Sequence, residues 1–441
     1  MANPQKIHGW GGTSSTAHEI LDENLAKAAC DAVLTRGLGR SYGDSSLPPS
    51  GDDVVASSLL ADRVLSFDPE SGLLRAEAGL SLAEIQRLLL PRGWSFPVLP
   101  GTQFVTLGGM VAADVHGKNH HVDGTIGSHV ESLRILLADG RTVDCSRHQE
   151  PELFRATLGG MGLTGHVLEV ETRLAKIPSP WIWQESRRID GLEEFIDALR
   201  ESADSWPFTV GWLDALATGG ALGRGILMRG RWAAPGEAPA EAPAAKPRLA
   251  VPITFPGWVL NRLSMRVFNA LYFRRHPRRP RQGIVHPETF FHPLDAIHHW
   301  NRIYGRRGFT QHQCVLPESE RPGATQRYLE KLTASGLASF LCVIKDCGAE
   351  GEGVLSFPRP GISIAVDLPI RDDTQRIIDD LNQRVIAEGG RVYLAKDTLS
   401  RGEDVLAMDP RLAEFDRLRR RWDPEGRLGS AQWTRLMGPA A

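Results

Sequence analysis

Short strands are predicted where apolar runs alternate with polar turns, at Ala32 to Leu34, Val54 to Ala56, Val64 to Phe67 and Leu73 to Ala78. His18 to Ala29 carries its apolar and charged residues at helical spacing instead, and predicts a helix. Leu82 to Leu90 predicts another, opened by Ser81 and Glu84 at capping-box spacing and ended by Pro91-Arg92-Gly93. Val130 to Asp144 has the form of a hairpin turning at Asp139-Gly140, and the apolar strand Val167 to Val170 follows.

Pro178 to Pro180 marks a boundary, after which Leu192 to Leu199 and Val210 to Leu213 begin a second set of elements. Ala233 to Pro247 is too rich in Ala and Pro to pack and predicts a mobile surface loop. Val251 to Phe273 then mixes apolar and aromatic residues ahead of Arg274, Arg275, Arg278, Arg279 and Arg281. Such a segment suits anionic lipid or a substrate with a phosphate and a greasy tail; the alternative is a core helix followed by a solvated basic loop. Downstream, alternation puts Gln311 and Gln313 on one face of a strand. A helix at Ala324 to Ser335, strands at Phe340 to Lys345 and Ile362 to Leu368, and a helix at Thr374 to Glu388 stopped by Gly389-Gly390 complete the pattern. Lys345 ends an apolar strand, where its charge needs solvent, a partner or a ligand anion. This half reads as an α+β domain on an antiparallel sheet.

The length, 441 residues, exceeds one ordinary core and predicts two or three domains. A formal charge of −2 argues against nucleic acid as a partner. Five cysteines without C-x-x-C spacing indicate neither a disulfide framework nor a zinc knuckle, and fit a reducing compartment. With no apolar leader, no twin-arginine start and no run of roughly 18 apolar residues, the sequence predicts a cytoplasmic protein.

Candidate chemistry concentrates in three glycine clusters. The span from Pro100 to His121 reads as the wall of a cofactor site, because Gly101, Gly108 and Gly109 permit close backbone approach and Ala112 and Ala113 add no bulk. His116, Lys118, Asn119, His120 and His121 then supply polar groups. Upstream, Arg36-Gly37-Leu38-Gly39-Arg40-Ser41-Tyr42-Gly43-Asp44 can form an anion-binding turn. It matches neither the P-loop pattern nor G-x-G-x-x-G, since Tyr42 replaces the last glycine. The third cluster runs from Gly159 to Gly165. His116 and His120 are spaced for a shared metal only in a helix, which Gly117 and Asn119 weaken, so no metal is assigned.

RGLGRSYGD followed by PGTQFVTLGGMVAADVHGKNHH resembles the FAD-binding oxidoreductases of the vanillyl-alcohol-oxidase type. Within them HGKNHH, GGMGLTGHV, FTQHQCVLP and VYLAKD resemble the decaprenylphosphoryl-β-D-ribose 2-oxidase family, over nearly the whole chain. Gly9-Trp10-Gly11 and Thr13 resemble the family's start, although Gly12 replaces an arginine. The resemblance implies an α+β fold with a two-part FAD-binding domain and a substrate domain built on an antiparallel sheet. The implied boundaries are 1–177 for FAD, 178–392 for substrate with a mobile 233–283 segment, and 393–441 returning to the FAD domain.

The implied activity is FAD-dependent oxidation of the 2-hydroxyl of a polyprenylphosphoryl ribofuranose, the first half of epimerisation to an arabinose donor; the alternative is a soluble sugar or alditol oxidase of the same superfamily. FAD contacts are implied for Arg36, Gly37, Leu38, Gly39, Arg40, Ser41, Tyr42, Gly43, Gly101, Thr106, Leu107, Gly108, Gly109, Ala113, His116, Gly117, Gly162, Thr164, Gly165, Val167 and Tyr393. Arg40 stands where many relatives carry a flavin-linking histidine, which implies non-covalent FAD. Substrate contacts are implied for Lys118, Gln311, Gln313, Lys345, Ser363 and Ala365, the last two at positions where the ribose oxidases carry Asn and Cys. Lys396, with His116 and Tyr42, is the catalytic candidate: a desolvated lysine beside a flavin can hold a depressed pKa, or can stabilise negative charge on the ring. The implied partners are a lipid-linked sugar phosphate, a short-chain-type NAD(P)H-dependent reductase for the keto product, and peripheral contact with the inner membrane.

Overall fold

The computed structural model describes residues 3–244, 248–337 and 339–438. The last three residues of the Ala/Pro stretch at 233–247, and the outermost ends of the expected first and last segments, lie outside them.

The first part is built on two main sheets, beside a two-stranded pairing of Trp94–Ser95 with Ala175–Lys176. β1 (Gln5–His8), β2 (Ser14–Leu21), β3 (Leu34–Arg36) and β4 (Val54–Ser57) form one, in the order β1-β2-β4-β3, with β2 and β3 both parallel to β4. The helix predicted over 18–29 is therefore a strand to Leu21 and only a short helix, α1 (Leu25–Ala28), capped by Asn24. Pairing of His18–Leu21 with Val54–Ser57 overrides the local helical spacing. The strand predicted at 32–34 begins at Leu34 and runs to Arg36 for the same reason: its partner is β4.

β5 (Val64–Asp68), β6 (Leu73–Glu77), β7 (Val130–Leu136), β8 (Thr142–Ser146) and β9 (His166–Arg173) make an antiparallel sheet in the order β5-β6-β9-β7-β8. The β7–β8 hairpin turns at Asp139-Gly140, with Gly140 at φ 84°. α2 (Leu82–Leu89) starts where Ser81 Oγ accepts from the Glu84 amide at 3.2 Å; the Glu84 carboxylate pairs with Arg87 at 2.8 Å. Leu82, Ile85 and Phe96 join Leu74, Leu133 and Val170 in the core between α2, α3 (Leu107–Ala112) and this sheet. Each such side chain contributes roughly 1.5–3 kcal/mol by leaving water.

The second part is one antiparallel sheet of eight strands. β10 (Ile182–Ile189), β11 (Phe208–Leu213), β12 (Gly225–Trp232), β13 (Arg281–Val285), β14 (Phe309–Leu316), β15 (Cys342–Cys347), β16 (Gly361–Pro369) and β17 (Arg391–Val392) lie in the order β13-β10-β12-β11-β15-β16-β14-β17. α4 (Leu192–Ala203), α6 (Ala324–Ala334) and α7 (Thr374–Ala387) share a core with this sheet, in which Phe195, Tyr328 and Leu381 join Ile344, Ile364 and Val366. The segment 233–283, which the resemblance implies is mobile, contains α5 (Arg262–Arg275), and its end enters the edge strand β13.

One further strand prediction is corrected. The strand predicted at 340–345 is β15, so Lys345 lies inside it, opposite Ser363 of β16. VYLAKD leaves the sheet after Val392, and the Lys396 amide closes a turn on Tyr393 O at 3.0 Å. From there the chain folds back onto the first part: Gly429 N donates to Val33 O at 3.0 Å and Ala431 N to Leu47 O at 2.8 Å. Arg435 pairs with both Asp44 and Asp397 at 2.8 Å.

Candidate active site

Alternation along the eight-stranded sheet decides the site. Cys342, Ile344, Ile364 and Val366 point into the helix-covered core, so Val343, Lys345, Ser363 and Ala365 point the other way, into a cavity of about 970 Å³ between the sheet and the glycine clusters. Gln311 and Gln313 of β14 line it too, as their shared face predicts. This volume is at the upper end of the roughly 300–1,000 Å³ usual for a ligand pocket.

The cavity brings together most of the predicted residues. Gly37, Leu38, Gly39, Arg40, Ser41, Tyr42, Gly101, Thr106, Gly108, Gly109, Ala113, His116, Gly117, Gly162, Gly165, Val167 and Tyr393 line one end, and Lys118, Gln311, Gln313, Lys345, Ser363, Ala365 and Lys396 continue the wall. Four stand behind it. Arg36 donates to His8 O at 2.6 Å and to Ser46 at 3.2 and 3.3 Å, bracing the turn. Gly43 packs on Asp397, Leu107 is fully buried in the core, and Thr164 bonds Thr157 at 2.9 Å. At Gly37 the backbone lies so near Thr106 that an added Cβ would come within 2.3 Å of its Oγ1, and Gly39 takes the left-handed conformation at φ 62°.

Lys396 Nζ lies 3.7 Å from the centre of the Tyr42 ring. Burial and the nearby Lys345 hold Lys396 below the ordinary lysine range, while Asp367 opposes them. Asp367 is wholly buried, and accepts from Gln311 Nε2 at 2.5 Å and Tyr304 Oη at 3.0 Å. Burial raises its carboxyl above the usual range, against those two hydrogen bonds and the charge of Lys396. Lys118 donates to Phe291 O at 2.9 Å; burial and Lys345 push it down to about 7. Lys345 Nζ reaches Gly117 O at 3.4 Å and is also lowered by burial.

His116 sits among Tyr393, Phe357 and His120, with its Nε2 3.1 Å from Gln313 Nε2, which donates to it. Burial first, then Lys345, His120 and Lys396, hold its pKa well below normal, so the ring is neutral and Nε2 is free to accept. Its Nδ1 is buried without a protein partner among the described residues. Tyr393 Oη donates to Ala113 O at 2.8 Å, fixing the ring against the glycine-lined wall. Arg40 stacks over Trp10 at 4.1 Å and Phe104 at 5.3 Å. Among the described residues, no group of three His, Cys, Asp or Glu side chains is placed to hold a metal.

Several site residues escaped sequence reasoning. Asp367 had the same signal as Lys345, a charge inside an apolar alternating strand. Asp295, which accepts from the Gln103 amide at 2.8 Å, and Trp212 had none; Phe268 and Tyr272 belong to the aromatic segment already singled out, and α5 brings them to the cavity.

The description "FAD binding domain" of one protein family matches residues 23–146. The chain is similar to the decaprenylphosphoryl-beta-D-ribose oxidase of Mycolicibacterium smegmatis, with 34% identity over 98% of this chain and 97% of that protein. A Streptomyces coelicolor protein without an assigned activity is 32% identical over 78% of this chain and 96% of its own length. The D-arabinono-1,4-lactone oxidase of Yarrowia lipolytica matches 37% of the chain at 24% identity. The residues present fit FAD: Gly101 and Gly162 face space in which an added Cβ would meet nothing, and His116, which lines the same cavity, offers an unpartnered buried nitrogen.

Proposed function

We propose a reaction from one premise: the chain belongs to the decaprenylphosphoryl-β-D-ribose oxidase family. It is an FAD-dependent oxidoreductase. Its reaction is oxidation of the 2-hydroxyl of a polyprenylphosphoryl-β-D-ribofuranose to the 2-keto sugar, the first half of epimerisation to an arabinose donor of the cell envelope. The observation that carries this reading is one continuous cavity, with glycine-lined wall at one end, Lys118, Lys345 and Lys396 along it, and an apolar region of Trp212, Phe268 and Tyr272 beyond. Such a lining suits a flavin, a sugar phosphate and the first part of a prenyl chain in turn. On this reading residues 1–177 and 393–441 hold the cofactor and 178–392 the substrate.

FAD, when bound, supplies the acceptor of the two electrons and the hydrogen that leave C2. The turn from Gly37 to Tyr42, Gly101, Thr106, Gly108, Gly109, Gly162 and Gly165 would hold it without a covalent link, and His116 and Tyr393 would flank it. Neutral Lys396 takes the proton of the 2-hydroxyl. The ammonium so formed is held over the Tyr42 ring and by the charge of Asp367, which Gln311 and Tyr304 fix in place. Lys118 and Lys345 hold the substrate phosphate, and Gln313 and Ser363 a ribose hydroxyl. A short-chain-type NAD(P)H-dependent reductase then consumes the keto product. No helix among the described residues is long and apolar enough to cross a membrane, and the reading is of a cytoplasmic enzyme that meets its substrate peripherally at the inner membrane.

Anaerobic mixing of the FAD-loaded protein with a polyprenylphosphoryl ribose tests this. The flavin absorbance should bleach with the lipid-linked ribose and not with a free pentose or alditol. Bleaching by the alditol at equal concentration would replace this reading with that of a soluble polyol oxidase.

A further inference from the structure

The stretch from Leu249 to Val285 contains seven arginines and no Asp or Glu, in a chain whose formal charge is −2. Among the described residues, only Arg278 of the seven has a carboxylate within 4.0 Å, that of Asp190 at 3.5 Å. Thirteen large apolar side chains are exposed among the described residues, and seven of them fall between Leu249 and Leu271. Uncompensated charge and exposed apolar surface therefore coincide.

Both trace to α5. Asn261 starts the helix with a capping box, its side chain accepting from the amides of Leu263 at 2.8 Å and Ser264 at 3.0 Å. Met265, Asn269 and Phe273, four residues apart, form its buried face, where Asn269 donates to Asp214 at 2.7 Å. Leu263, Val267 and Leu271 repeat the same spacing on the opposite face, 72%, 52% and 64% exposed. A helix at a water interface carries polar residues there. Arg262, Arg266, Arg274 and Arg275 flank this apolar stripe instead, and Trp258 just before the helix is 75% exposed. Met265, Phe268 and Tyr272 of the same helix line the cavity, so α5 separates the apolar end of the site from the exposed stripe.

We propose that this face docks on an anionic bilayer. Leu263, Val267, Leu271 and Trp258 enter the boundary between headgroups and acyl chains, and the arginines pair with lipid phosphates. A lipid-linked substrate then moves from bilayer to cavity without its tail crossing water; this consequence rests on the function proposed above, the docking does not. Charge selects the bilayer over a second copy of the chain, since pairing two such faces would juxtapose two unneutralised arginine clusters.

The test is co-sedimentation of the full-length, FAD-loaded protein with phosphatidylcholine vesicles, with and without phosphatidylglycerol. Binding is expected only with the anionic lipid, with a blue shift of Trp258 emission that the Trp258→Phe variant loses. Leu263→Ser/Leu271→Ser should weaken partitioning more than tenfold, since roughly 0.8 kcal/mol is lost per buried CH₂. Each of Arg262→Ala and Arg266→Ala should weaken it about fivefold and reduce its salt dependence. None of these side chains lines the cavity, so flavin bleaching by detergent-dispersed substrate should be unchanged, which separates docking from the chemistry. Absence of anionic-vesicle binding by the native protein, or equal binding by the double leucine variant, overturns the proposal. Concentration-dependent self-association that this variant abolishes, without vesicle binding, would assign the face to a second copy.

Discussion

At the cofactor end of the cavity the wall is mostly backbone: Gly37, Gly39, Gly101, Gly108, Gly109 and Gly162 keep side chains out of the way. At the substrate end Gln311, Gln313, Lys345 and Ser363 reach in from neighbouring strands, with Asp367 fixed behind them. A wall of backbone recognises a group by shape and tolerates almost no added atom, whereas a wall of side chains sets charge and proton affinity and can change residue by residue. Substitutions at the first end should therefore act on cofactor retention, and those at the second on turnover and substrate affinity with the flavin still bound.

Lys396→Met gives the sharpest contrast. It removes the proton acceptor while keeping an unbranched chain over Tyr42, so kcat should fall roughly 10²–10⁴-fold with stoichiometric flavin by absorbance. The native enzyme supplies the pH arm. Burial holds Lys396 below the ordinary lysine value of about 10.4, with Lys345 acting in the same direction and Asp367 against it. The neutral amine grows as pH rises, so kcat at saturating substrate should climb to a plateau through an inflection below that value. A kcat that falls over this range would instead make the ammonium the working form, stabilising negative charge.

Gly37→Val tests the other end. Its Cβ would stand within 2.3 Å of Thr106 Oγ1, the atom that accepts from the Gly109 amide at the start of α3, so the turn and the helix cannot both stay in place. A loss of about 1–3 kcal/mol is expected, read as weakened flavin retention on gel filtration and a lower melting temperature. Full flavin content with reduced turnover would mean that the two ends are not built on different principles.

The same contrast explains what the sequence made legible. Glycine clusters, the Asp139-Gly140 hairpin and the shared face of Gln311 and Gln313 are local signals, and each has its expected place in the fold. His18 to Leu21 became a strand because its partner, Val54–Ser57, lies more than thirty residues away, and helical spacing carries no information about that partner. Lys396 stood out as a lysine in a family-like motif. Its working environment did not, because Tyr42, Gln311, Tyr304 and Asp367 arrive from widely separated parts of the chain.

The smallest effect should come from Ser363→Asn, which installs the residue expected in the ribose oxidases. Ser363 is buried on β16 opposite Lys345, and Gln313 Nε2 reaches its Oγ at only 3.5 Å while also meeting His116 at 3.1 Å. The longer amide extends into the cavity and can both donate and accept, so it can take over a ribose hydroxyl without disturbing the turn that carries Lys396. One neutral hydrogen bond gained or lost is worth about 0.5–1.5 kcal/mol, which limits the change in KM for the lipid-linked ribose to roughly 2–12-fold with kcat unchanged. Steady-state kinetics of the variant decide it. A fall in kcat would put position 363 in contact with the reacting carbon, and the side-chain wall would then control the chemical step as well as substrate affinity.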